Sequence, residues 1–186
     1  MKKALNLVLS AVLSVVMVGT AFAYSGDQVV SNARSEQRLA GQVRHELAMI
    51  PQVTVFDNLA YSVDGGTVTL SGQVRNAVIK DVAEKSVKRL EGVEKVNNQI
   101  EVLPASFNDD RIRRQVARAV FNDPRLFGYG FQPVSPIRII VKNGNVDLVG
   151  VVRTQTDKDD AFIRANGVSG VFSVQNNLLV ELEKKG

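Results

Sequence analysis

Cysteine is absent from this chain of 186 residues. That excludes disulfides, thiolate nucleophiles, thiolate metal sites and a lipid attached to an N-terminal cysteine. Histidine occurs once, as His45, with no second imidazole to complete a metal site. No G-x-S-x-G is present, and no serine has a base at a recognisable spacing. Gly128-Tyr129-Gly130 lacks the third glycine and the preceding strand of a dinucleotide fingerprint. Asp157, Asp159 and Asp160 open a predicted helix, whose dipole they suit, without the ligand cadence and glycine of a calcium loop. The chain therefore reads as a non-enzyme, with no catalytic residue, no metal site and no cofactor.

Long apolar runs are missing too, apart from Ala4 to Val18 behind the cationic start Met1-Lys2-Lys3. That run falls short of the ~20 residues a membrane span needs. Ala21-Phe22-Ala23 follows with the small-x-small pattern that a signal peptidase reads. Residues 1–23 are thus expected to be a signal peptide cut after Ala23, giving a periplasmic protein with no transmembrane segment in the mature chain. Loss of Lys2 and Lys3 lowers the formal charge from +4 to +2. So balanced a chain is not a general nucleic-acid binder. Without disulfides its apolar content, 45%, has to supply the stability, in one domain or two small ones.

What is present is a duplication. "GTVTLSGQVR" (66–75) recurs 78 residues on as "GNVDLVGVVR" (144–153), Lys80-Asp81-x-Ala83 as Lys158-Asp159-x-Ala161, and "GVEKVNNQIEV" (92–102) as "GVFSVQNNLLV" (170–180). Fourteen of the 37 positions from 66 to 102 are identical in the second copy. In the first copy Leu39, Val43, Leu47 and Ile50 fall at helical spacing over 36–49, and Pro51 ends the helix. A strand over 58–64, a turn at Asp64-Gly65-Gly66 and a strand over 67–74 follow. Asn76 caps a helix over 77–90, whose apolar residues include Val78, Val82, Ala83, Val87 and Leu90, and a strand over 94–102 closes the unit. The second copy predicts a helix over 109–121, strands 137–142 and 145–152 around an Asn143-Gly144 turn, a helix 155–166 and a strand 171–181. The fold class is α+β: two small α-β-β-α-β domains, each a three-stranded mixed sheet covered by two helices. "LPASF" (103–107) is the short linker, so the two domains should touch.

A helix, a "G-x-V-x-L-x-G-x-V" hairpin, a Lys-Asp-x-Ala helix and a "G-V-x-x-V-x-N-x-[IL]-x-V" strand together resemble the BON (bacterial OsmY and nodulation) domain. The resemblance covers 36–103 as domain 1 and 108–183 as domain 2. It implies a non-catalytic binding module of the bacterial envelope, with attachment to phospholipid as the usual proposal and osmotic stress or chaperoning as associated roles. The shared residues are expected to build the fold. Gly66 and Gly144 make turns, Gly72 and Gly150 let a helix approach the sheet, and Gly92 and Gly170 end helices. Asn98 and Asn176 hydrogen-bond near the sheet edge.

Candidates for binding lie in the second copy. Arg111, Arg114 and Arg118 share one predicted helix face, with Arg113 beside them and Arg125 just beyond. Guanidinium groups pair bidentately with phosphate, and a solvated face or interdomain salt bridges are the plainer alternative. "RLFGYGFQPVSP" (125–136) then gathers Phe127, Tyr129 and Phe131 in a chain of only 6% aromatics, on about five residues that the first copy lacks. It reads as a loop that either packs into the core and the domain junction or anchors on lipid or a partner. The expected partners are an anionic phospholipid surface or envelope proteins. The leading reading is an envelope-supporting phospholipid binder; a periplasmic chaperone and an adaptor subunit of an envelope complex stand behind it.

Overall fold

The computed structural model describes residues 26–132 and 134–181, with side-chain placement from Arg34 onward. The expected signal peptide lies outside the described residues. Two sheets form, one per copy. The first domain runs α1 (Gly26–Ala48), β1 (Asn58–Asp64), β2 (Thr67–Val74), α2 (Ala77–Val87), β3 (Lys95–Asn98) and β4 (Glu101–Val102). The second runs α3 (Phe107–Phe121), α4 (Phe127–Gly130), β5 (Ile137–Lys142), β6 (Asn145–Val152), α5 (Gln155–Asn166) and β7 (Ser173–Val180). In each, the hairpin is antiparallel and the last strand pairs in parallel with the middle one, so both sheets are mixed.

Each core lies between the sheet and its two long helices. Leu39, Val43 and Leu47 of α1 bury against Val68, Leu70 and Val74. Ile112, Val116 and Val120 of α3 bury against Ile139, Val141, Val146 and Leu148. The matching helix residues are 73 apart, whereas the strands are 78 apart, so the five extra residues fall between α3 and β5. In α2 the inward residue is Ile79, while Val78 is half exposed. The Asn76 carboxamide accepts the Val78 N–H as the cap, and that turns Ile79 rather than Val78 toward the sheet. The first copy's closing strand comes in two pieces, with the Asn98 side chain taking the Ile100 N–H between them.

Gly72 and Gly150 do not admit a helix. Their φ angles are +106° and +130°, and a Cβ would strike the carbonyl oxygens of Asn58 and Pro136. The neighbouring strand's entry, not a helix, is what crowds them. Asn98 and Asn176 do more than close an edge. Their amides donate to the carbonyls of Lys80 (3.1 Å) and Lys158 (2.8 Å), tying the last strand of each copy to the helix before it.

The domains are joined through residues 54–57. The Val55 carbonyl accepts the Ile139 N–H at 2.8 Å, covering the outer edge of β5. Arg138 donates to the Thr54 carbonyl at 2.9 Å, and Phe56 packs against the second core. This segment is shaped by the buried Asp57. One of its oxygens accepts from the Thr54 N–H and hydroxyl, and the other from the Arg75 N–H, while the Arg75 guanidinium lies over the Phe56 ring at 5.2 Å. Asp57→Ala leaves these buried donors unpaired, each hydrogen bond to a charged group being worth about 1.5–3 kcal/mol. Urea denaturation of the chain lacking residues 1–23 is expected to show a loss of about 3 kcal/mol or more.

Candidate functional site

The outer face of α3 carries the arginines. Its inner face is Ile112, Val116 and Val120, and Arg111, Arg114 and Arg118 stand opposite, all exposed. Ser106 caps the helix, so it begins at Phe107 rather than 109 and brings one more residue onto that face. Phe107 lies four residues before Arg111 and is 97% exposed. The ridge therefore reads Phe107, Arg111, Arg114, Arg118, Phe121, at helical spacings of four, three, four and three. Arg111 bonds only the neutral side chains of Gln115 and Asn108, and among the described residues no ion pair includes Arg111, Arg114 or Arg118.

Arg113 does not join them. It is 3% exposed, pairs with Asp110 at 2.7 Å and donates to the Val141 carbonyl, so it fastens α3 to β5. Asp109 has a similar task that the spacing did not reveal. Its buried carboxylate accepts the N–H groups of Asn143 and Gly144, fixing the β5–β6 turn. Arg125 is largely exposed and lies 3.5 Å from Asp160.

The 125–136 segment is not simply a loop. Its first part closes into the helical turn α4, and its aromatics divide. Tyr129 is 3% exposed, whereas Phe127 and Phe131 are 52% and 72% exposed, with ring centroids 4.5 Å apart. A Cβ on Gly130 would come within 3.2 Å of the Phe121 ring, so α4 sits on the end of the α3 ridge. Phe127 and Phe131 are thus exposed on the turn that follows α3, and Phe107 is exposed at its start. The Tyr129 hydroxyl donates to Asp157 and accepts the Arg153 N–H, both at 2.8 Å, while the Arg153 guanidinium lies 5.3 Å from its ring. In the first domain Asp57 and Phe56 hold Arg75 in the same way. The hydroxyl that binds Arg153 comes from the added turn.

The profile of the BON domain matches residues 35–104 and again 108–181. The chain belongs to the BON-domain family. Among its relatives, the outer membrane lipoprotein DolP of Haemophilus influenzae is 36% identical over 114 residues, 59% of this chain and 55% of DolP. The chain therefore spans about half the length of that relative. Osmotically-inducible protein Y of Escherichia coli is 27% identical over 150 residues, 80% of this chain and 74% of its own. Among solved structures, the C-terminal domain of CdsD, a type III secretion protein of Chlamydia trachomatis, aligns with 77% of this chain and 98% of its own. Its TM-score is 0.32 and its identity 12%. For this BON protein, among the described residues, no cluster of three or more acidic or imidazole groups is placed to hold a metal, and no helix is long and apolar enough to cross a membrane. His45 is exposed.

Two outcomes test the division of the 125–136 segment. Tyr129→Phe strands the Arg153 N–H and takes a donor from the buried Asp157 carboxylate, so it should cost about 1–3 kcal/mol in urea denaturation, whereas Phe131→Ser should cost nothing measurable. Asp123, at the α3–α4 corner, bonds the Arg125 N–H and the Arg164 guanidinium. The Arg125 N–H first, against the opposing cost of burial, and then Arg164 hold its carboxyl below the usual range. A depressed carboxylate stabilises the fold above its unfolded pKa of ~3.9 and loses that contribution as pH falls through the folded value. The thermal advantage of the native chain over Asp123→Asn should therefore be constant from neutral pH to about pH 5 and shrink below about pH 4.

Proposed function

We propose that this BON-domain protein is an exported, non-enzymatic envelope protein whose second domain rests on anionic phospholipid surfaces. The observation that carries this is the outer face of α3: three arginines in no ion pair among the described residues, with the exposed Phe107 at the helix start and the exposed Phe127 and Phe131 on the turn after it. Guanidinium groups meet phosphates at the depth where aromatic rings meet the upper acyl chains. Acids three or four residues away can pair such cations on a helix surface, and among the described residues none pairs with Arg111, Arg114 or Arg118. Two relatives carry names that place one in the outer membrane and make the other osmotically inducible, which supports an envelope role in stress.

Each basic residue near an anionic surface contributes about 1 kcal/mol, so losing three should weaken binding about a hundredfold. Co-sedimentation of the chain lacking residues 1–23 with phosphatidylglycerol vesicles at low salt checks this. Arg111→Ala, Arg114→Ala and Arg118→Ala combined should abolish binding, and phosphatidylcholine vesicles should not be bound. Equal binding by the triple variant removes the site. A second reading, a holder of exposed protein segments, is favoured by Phe172, 86% exposed and outside α3 and α4 in the chain. It predicts suppression of client aggregation that survives high salt, where the arginine ridge is screened.

A further inference from the structure

A second feature lies where the domains meet. Between α1, β1 and the entry to β5 is a groove of about 160 Å³, roughly five waters' worth of space at ~30 Å³ each. Leu47, Val53, Leu59 and Tyr61 form its walls, and Val134 of the second domain forms its lip. Two arginines also line it, Arg44 from α1 and Arg138 from β5.

Arg138 is the unusual member. It is half-buried, and one hydrogen bond, to the Thr54 carbonyl, is its use among the described residues. Burial lowers its basicity, and the charge of Asp57 opposes that only in part. Asp57 is in no ion pair with Arg138 among the described residues; its oxygens accept from Thr54 and Arg75. Neither Arg44 nor Arg138 is in an ion pair among the described residues. A half-buried cation beside apolar walls is costly unless an anion completes it.

We propose that this groove binds one free fatty-acid molecule, the carboxylate held between Arg44 and Arg138 and the start of the alkyl chain lying along Leu47, Val53, Leu59 and Tyr61. Charge complementarity selects the carboxylate, and the carbon lining selects the chain. A peptide would bring amide groups for which these walls offer no partners beyond the same two guanidinium groups and one phenol. Because Arg44 belongs to one domain and Arg138 to the other, a bound carboxylate bridges the junction and stabilises it by mass action. The groove is separate from the α3 ridge, so the two can fail independently.

Isothermal titration of the chain lacking residues 1–23 with dodecanoate, kept below its micelle-forming concentration, tests the proposal. The expected result is saturable one-to-one binding that dodecanol does not show. Arg44→Gln and Val134→Asp replace exposed side chains, so both variants should keep the native melting temperature and lose at least tenfold in affinity. The triple arginine variant of α3 should bind dodecanoate as before, even where it no longer binds vesicles. Absence of saturable binding, equal binding of dodecanol, or unchanged affinity in both groove variants overturns the assignment. Tighter binding of a short peptide ending in an apolar residue, in competition with dodecanoate, also overturns it and gives the groove to peptide.

Discussion

A carboxylate with no exposure to solvent, that of Asp57, sets the arrangement of the two domains. Buried alone it would be intolerable, so the chain around it is bent to supply donors: the N–H and hydroxyl of Thr54 and the N–H of Arg75. That bend aims the carbonyls of Thr54 and Val55 outward, at Arg138 and Ile139 of the second domain. It also places Phe56 between the Arg75 guanidinium and the second core. The surface pair Lys142–Glu101, at 2.6 Å, adds contact at the same junction, but exposed ion pairs contribute little by comparison. The groove bordered by Arg44 and Arg138 exists because this bend holds the domains at that spacing.

The second copy meets the same need differently. Arg153 occupies the place of Arg75, and its N–H requires a buried acceptor. Ser135 stands where Asp57 would be, and its hydroxyl donates instead to the Ile137 carbonyl. The five added residues supply the acceptor as the Tyr129 hydroxyl, which Asp157 in turn accepts from. Asp157 is also the third residue of a capping box with Thr154, so the added turn is locked to the start of α5. One hydroxyl thus ties together the insertion, the edge of β6 and a helix terminus.

The same turn explains why apolar rings reach the surface. With Tyr129 pointing inward, Phe127 and Phe131 project outward and touch each other. Gly130 permits it by lying against Phe121, where a side chain would be tight against the ring. An exposed aromatic pair costs little by itself, and it follows a helix whose outer arginines are in no ion pair among the described residues.

The fold was legible in the sequence because its periodicities are local. Val68 and Leu70 alternate on a strand, and Leu39, Val43 and Leu47 repeat on a helix. Both patterns state which face is buried before any partner is known. The duplication doubled that signal and located the insertion by the change in spacing. The arginine face was legible for the same reason, since helical spacing alone puts Arg111, Arg114 and Arg118 together. What spacing does not carry is the partner of a polar group. Arg113 is one step from that face and is buried by a carbonyl of β5. Tyr129 sits between two phenylalanines of like composition and alone turns inward, because the N–H of Arg153 lies 24 residues away along the chain and only 2.8 Å away in space. Gly72 and Gly150 look like room for a helix until the entering strand is seen to fill it. Local sequence determined the elements, their faces and their order. The tertiary structure decided which polar atoms meet, because a buried hydrogen bond depends on distances between segments that one-dimensional order does not record.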